Sequence, residues 1–314
     1  MMERKMWVIA AIAAGIFVGP AAMAQDQEDG EQLPPVVQEE TLEVAEEADL
    51  PAEEDRWSLW VGGSFASEYI SRGLAFSSEP SFQPWAELYY SLETPENAQW
   101  LESASLFFGT WNSMQDGDPG LGQQRSGRVS NWYENDLYTG VTANVLENWT
   151  TSFAYYYYNS PSDSWDSYHE LEWKLSYDDT GMWEDFALEG FGLNPGVRLT
   201  HEISRPNTED AFYAQLSLEP SFQASGGSQP LTVSVPLVVG LADGYYTNAQ
   251  GGDETYGYFL TGLKASTPLD VLPEDAGALT LHGGVDVWFL PTDVANGLDE
   301  STEVVGKIGM TWNY

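Results

Sequence analysis

The chain reads as an all-β protein: a 12-stranded antiparallel transmembrane β-barrel of the bacterial outer-membrane type, preceded by a signal peptide and a disordered acidic arm. Three observations predict this. Apolar and polar residues alternate with period two in twelve separate segments, which places them on opposite faces of strands. No apolar run after residue 57 approaches the roughly 18 residues of a membrane-spanning helix. The nine Lys and Arg after residue 24 avoid the apolar parity of those segments. A lipid-facing surface demands that, because a cation there costs roughly 2–4 kcal/mol at mid-membrane.

Residues 1–24 have the pattern of a secretory signal peptide. Arg4 and Lys5 precede the apolar run Trp7 to Val18, and Ala22-Met23-Ala24 is a small-x-small cleavage site. Residues 25–56 form the acidic arm. Its stretch 25–55 holds 13 Asp and Glu, no base and no aromatic. Such a segment cannot bury enough apolar surface to offset its ordering entropy, so a solvated tether is expected. Residues 57–314 form the barrel domain and carry 41 of the 43 aromatics.

The twelve segments lie near 57–71, 81–92, 103–114, 132–146, 149–159, 168–178, 186–203, 212–222, 231–242, 256–267, 278–290 and 303–314. Each reaches the roughly nine to eleven residues of a tilted membrane strand, and their number is even. The last segment is the clearest. Val304, Gly306, Ile308, Met310, Trp312 and Tyr314 share one face, with Lys307, Thr311 and Asn313 on the other. Met310, Trp312 and Tyr314 are the expected signal for the barrel-assembly machinery. With both termini periplasmic, the connections at 115–131 and 243–255 are long outer loops, and Leu146-Glu147-Asn148 is a tight periplasmic turn. Glu189 falls on the outward parity and calls for a bulge or a rim position.

Composition narrows the function. Asp and Glu number 49 against 11 Lys and Arg, a formal charge of −38, which argues against nucleic acid as a partner. The absence of Cys excludes disulfides and thiolate chemistry. Neither a cofactor nor a metal is required, and no enzyme activity is expected.

Ser67-Glu68-Tyr69-Ile70-Ser71-Arg72-Gly73, followed by Ser77 and Pro80, resembles the first hairpin of the TorF-type family of porin-like outer-membrane proteins. Gly109-Thr110-Trp111-Asn112-Ser113, Glu134-x-Asp136-x-Tyr138-x-Gly140 and the run Tyr155 to Tyr158 then Glu170 are similar to its later segments. The resemblance covers roughly residues 65–180. Glu68 stands where the family usually has Asp, and the acidic arm is not part of its pattern. It implies a bacterial outer-membrane barrel of porin type.

The inward parity supplies the candidate lumen. Its acids are Glu68, Glu87, Asp136, Glu170, Glu172, Glu202, Glu219 and Asp286; its bases are Arg72, Lys174, Arg198, Lys264 and Lys307. Arg72 is expected at the outer end of the first strand, paired with Glu68. An acidic excess biases a pore toward cations. Trp57, Trp60, Tyr69, Tyr90, Trp111, Trp149, Trp173, Trp312 and Tyr314 are expected as girdle anchors, and Trp85, Tyr89, Tyr156, Tyr158 and Trp288 as inward aromatics. Asp116, Asp118, Asp243, Asp253 and Glu254 decorate the outer loops. The expected function is passive diffusion of small polar solutes, with outer-membrane lipid and lipopolysaccharide around the barrel. A plugged barrel with a structural or surface role is the alternative. A lipid-active hydrolase built on outward His169 or His201 is a remote one, since it would need a Ser beside the imidazole.

Overall fold

The computed structural model describes residues 56–314 except 96, 116–130, 187–189, 206–208, 225–229, 274–275 and 299. The signal peptide, the arm at 25–55, Asp116, Asp118, Arg125, Arg128 and Glu189 lie outside the described residues.

The strands are β1 (Trp57–Ala66), β2 (Tyr69–Ser71), β3 (Leu74–Ser77), β4 (Ser81–Ser91), β5 (Leu101–Gln115), β6 (Trp132–Val145), β7 (Trp149–Asn159), β8 (Tyr168–Tyr177), β9 (Gly196–Ile203), β10 (Phe212–Leu218), β11 (Ser221–Gln223), β12 (Thr232–Ser234), β13 (Leu237–Thr247), β14 (Asp253–Pro268), β15 (Ala278–Phe289) and β16 (Thr302–Asn313). Twelve of them form a closed antiparallel barrel, in the order β1-β4-β5-β6-β7-β8-β9-β10-β13-β14-β15-β16 and back to β1. Closure leaves no open sheet edge, which a strand protein in lipid requires. The short β11 and β12 prolong β10 and β13 at the termini end. Pro220 and Pro236 separate them from their parent strands, since proline cannot donate to a ladder.

Parity places the residues as the alternation predicts. Phe65, Leu106, Phe108, Phe153, Leu263 and Ile308 are exposed on the outer face. A soluble protein rarely shows so large an apolar surface, and the outer face is the lipid-facing surface of a transmembrane barrel. The inner face carries Ser64, Gln83, Glu87, Asp136, Glu172 and Arg198, all buried.

Three boundaries differ from expectation. The segment 57–71 is not one strand: β1 stops at Ala66, and β2 and β3 make a separate two-stranded hairpin. The segment 186–203 begins only at Gly196, after a short 3-10 helix at Thr180–Phe186. Asp179 anchors that long connection by accepting 2.8 Å hydrogen bonds from the Leu193 and Asn194 N–H groups. The expected loop 243–255 is mostly strand, since β13 runs to Thr247 and β14 starts at Asp253. Asp243 and Asp253 therefore sit on strands, and the difference in loop length between the two barrel ends is smaller than expected. Leu146-Glu147-Asn148 is the tight turn foreseen.

The inner face is narrowed by aromatic rings lying on neighbouring glycines. A Cβ on Gly240 would fall 2.1 Å from the Tyr258 ring. Gly306 on the outer face has nothing within 4 Å of its Cβ position. Gly240→Ala should therefore destabilise the barrel by about 1–3 kcal/mol through overpacking. Gly306→Ala should be near neutral. Urea unfolding of lipid-reconstituted protein, followed by tryptophan fluorescence, measures both.

Candidate functional site

The site is the lumen, and its organising element is the β2–β3 hairpin. Ser71 pairs with Leu74 across a two-residue turn made by Arg72 (φ 48°) and Gly73 (φ 77°). Positive φ at both central positions is the type I′ geometry that matches strand twist. Glycine takes this conformation without penalty, whereas arginine is strained there by about 1–2 kcal/mol. A Cβ on Gly73 would also come within 2.9 Å of the Tyr258 side chain.

The arginine side chain offsets that strain. Its Nη1 and Nη2 donate to the two Glu170 carboxylate oxygens at 2.7 and 2.8 Å, and Nη2 donates to the Tyr158 hydroxyl at 3.2 Å. The guanidinium lies 5.0 Å from the Tyr213 ring centroid and 5.7 Å from that of Tyr245. The Arg72 carbonyl accepts from the Tyr246 hydroxyl at 2.9 Å. Arg72 is 3% exposed and Glu170 0%, so the pair is sealed from water. Bidentate geometry and desolvation together make this the strongest polar contact holding the hairpin.

Further bonds seat the hairpin on other walls. The Tyr69 hydroxyl donates to Glu134 at 3.0 Å, and Gln115 Nε2 donates to the Phe76 carbonyl at 3.0 Å. The Ala75 N–H donates to the Asn296 carbonyl at 2.9 Å. Ile70 and Ala75 pack with Tyr258, Trp288 and Val305 on one side. Tyr69 and Phe76 pack with Trp111 and Tyr133 on the other. The hairpin thus lies inside the barrel and contacts its inner face on several sides.

The remaining inward charges form local clusters. Glu172 contacts Lys174 Nζ at 2.8 Å and Arg198 Nε at 2.5 Å, and accepts from the Tyr156 hydroxyl at 3.2 Å. Glu87 accepts from Tyr89 and Tyr138, each at 2.6 Å. Glu219 accepts from Ser234 at 2.6 Å and lies 3.2 Å from Lys264 Nζ. Asp286 lies 3.0 Å from Lys307 Nζ, and Glu202 lies 3.2 Å from Arg205.

Glu68, of the expected lumen set, lies away from Arg72. It sits in the link between β1 and β2, half-buried, near Glu303 rather than Arg72. Burial, with Glu303 adding to it, pushes its carboxyl above the usual range. The foreseen Arg72–Glu68 pair is therefore replaced by Arg72–Glu170, because the chain turns inward after Ala66. Glu134, buried and on the inward parity, belongs to the set and was missed; its alternation with Asp136 was the available signal. Trp60, Tyr69 and Trp111 are buried inside and are not girdle anchors, whereas Trp57 and Tyr314 are exposed. At the termini rim, Arg56 pairs with Glu93, whose carboxyl this contact holds below its usual range. His169 Nδ1 meets the Tyr155 hydroxyl at 2.6 Å.

No family model and no curated protein matches this chain. Solved outer-membrane barrels are similar in overall shape. An outer membrane channel from Pseudomonas putida F1 has 11% identity and a TM-score of 0.49, over 86% of this chain and 100% of that one. The transport unit of the autotransporter AIDA-I from Escherichia coli has 12% identity and a TM-score of 0.42, over 85% and 93%. The NanC porin has 14% identity and a TM-score of 0.38, over 81% and 98%.

Removing one partner of the Arg72–Glu170 pair leaves a buried charge uncompensated, which costs about 3–5 kcal/mol. Glu170→Gln should accordingly lower the temperature of the heat-modifiable electrophoretic shift. Tyr158→Phe removes one hydrogen bond and should lower it less, by a change worth about 1 kcal/mol.

Proposed function

We propose that the chain is a bacterial outer-membrane channel for passive diffusion of small polar solutes, narrowed by its own β2–β3 hairpin. The observation that carries this reading is the division of surfaces. The outer face is apolar, while the inner face among the described residues holds eight buried acids and five bases. The acids are Glu87, Glu134, Asp136, Glu170, Glu172, Glu202, Glu219 and Asp286; the bases are Arg72, Lys174, Arg198, Lys264 and Lys307. Lining a barrel with charge serves the passage of polar matter, and the acidic excess gives a modest preference for cations. The TorF-type resemblance over residues 65–180 supports the same reading. In this arrangement both termini are periplasmic, lipid and lipopolysaccharide contact the outer face, and the strand ending in Met310, Trp312 and Tyr314 is presented to the assembly machinery.

One observation favours a second reading, a plugged barrel with a structural or surface role. Glu170 and Arg72 are almost wholly buried, and the hairpin bonds to several walls. Planar-bilayer recording in a potassium chloride gradient separates the two. The channel reading expects single-channel steps with a reversal potential on the cation side. It also expects larger steps when residues 69–77 are replaced by a short Gly-Ser link. Absence of current from folded wild-type protein and from the hairpin variant would sink the channel reading in favour of the plug. Anion selectivity would overturn the charge argument alone.

A further inference from the structure

Exposed large apolar side chains outside the strands gather at one end of the barrel. At the termini end, each connection between spanning strands carries at least one. They are Trp100 between β4 and β5, Leu146 between β6 and β7, Phe186 between β8 and β9, Leu231 between β10 and β13, and Val271 between β14 and β15. At the other end, no described connection residue is an exposed large apolar side chain. The apolar residues there turn inward instead. Leu290 and Val294, between β15 and β16, are buried in the cluster that holds Ile70 and Ala75. Trp165, between β7 and β8, packs on Tyr133 and Tyr168.

Two of these connections show how the apolar groups are presented. Leu146 has φ 53°, a conformation that glycine or asparagine takes more readily than leucine. The turn nevertheless holds a leucine there, 63% exposed. Its N–H donates to the Trp100 carbonyl at 3.1 Å, which ties neighbouring connections together. The β8–β9 connection carries the largest patch. Tyr177, the last residue of β8, pairs with Trp149 and shares the outward parity of the exposed Phe153. Its ring lies 4.7 Å from that of Trp149, and its hydroxyl donates to Met182 Sδ at 3.5 Å. The neighbouring Trp183 ring contacts Phe186 at 6.2 Å and Phe191 at 5.3 Å, and its Nε1 donates to Asp179 at 2.8 Å. Met182 is exposed, and Phe186 is 72% exposed. The apolar surface thus extends from the lipid-facing wall onto this connection.

Scattered exposed apolar side chains are ordinary, whereas a set on every connection of one end marks a contact surface. Connections spaced round a barrel are met together by a surface that encircles it, and the bilayer is such a surface. Side chains just past the strand ends lie where hydrocarbon gives way to headgroups, the layer that suits tryptophan and other amphipathic groups. We infer that the termini-end connections form a collar seated in the interface of the adjoining leaflet, with Met182, Trp183 and Phe186 as its main foot. Its partner is phospholipid. Glu147, Glu184 and Asp270 are exposed on the same connections, and Arg56, the one described base beyond the strands at this end, is engaged by Glu93. Zwitterionic headgroups, which offer an ammonium, therefore suit the collar better than anionic ones. The inference does not depend on whether the lumen conducts.

The chain has no Cys, so a single introduced one carries a nitroxide label without background. Leu146→Cys, Phe186→Cys and Val271→Cys are each labelled and folded into vesicles of phosphatidylethanolamine and phosphatidylcholine. Oxygen, which concentrates in lipid, should relax these labels more effectively than a water-soluble nickel chelate. Asp166→Cys, exposed on the connection between β7 and β8, should show the reverse order. The oxygen-to-nickel ratio at the collar sites should exceed the Asp166→Cys ratio severalfold. A ratio at the control's level at Phe186→Cys, or at both other sites, would overturn the inference. So would labels shielded from both reagents, because a protein partner or a second copy would then cover this end. Folding of each variant is read from its heat-modifiable electrophoretic shift. If Phe186→Cys does not fold, Met182→Cys takes its place.

Discussion

A guanidinium sealed inside a membrane barrel must be neutralised, and much of the lumen is arranged around that requirement. Arg72 reaches the lumen because the chain turns back into the barrel after Ala66 instead of continuing outward. Glu170 meets it with both oxygens, Tyr158 adds a hydrogen bond, and the rings of Tyr213 and Tyr245 cover its faces. Solvation of the arginine by protein groups lets a polar turn sit where water is excluded. The hairpin then carries its apolar residues against two aromatic clusters that line opposite parts of the inner face. One charge pair thus decides that the interior is divided and packed, not a uniform bore.

The second constraint is parity. In a closed barrel each residue faces lipid or lumen, with no third environment, and a slip of one residue would exchange the two. The registry is continuous around nearly the whole barrel. Irregularities occur near Leu101, Met114 and Gly240. Some polar side chains on the outer face are tied to one another: Asn112 and Asn135 bond to each other and to Thr110.

This is why the barrel was legible in the sequence and the hairpin was not. Alternation is a local signal, so all twelve spanning strands can be read from it, with errors only at ends such as 186–203. Inward parity likewise marks many of the charges buried on the inner face, but not Glu134. What alternation cannot show is a chain reversal that preserves it. Tyr69–Ser71 continues the rhythm of β1, yet the two-residue turn at Arg72-Gly73 sends it into the lumen. The Arg-Gly pair stands out in the sequence, but a turn with a non-glycine residue at positive φ is not legible from sequence alone. Its partner could not be found locally either, since Glu170 is 98 residues away. For the same reason Trp60, Tyr69 and Trp111 were assigned to the rim: aromatic type says nothing about face once the lumen is itself lined with rings.

That separation also sets an order of events. The hairpin is near the start of the barrel sequence, but its carboxylate comes from β8 and the hydroxyl that holds the Arg72 carbonyl comes from β13. Contacts between such distant segments form late, because loop-closure entropy must be met before they reward it. The strand ladders, which join mostly successive segments, can zip first. The barrel wall is therefore assembled around an unseated turn, and the interior is locked only when the ninth of its twelve strands has arrived. An assembly intermediate that stops short of β13 has a wall but no fixed interior.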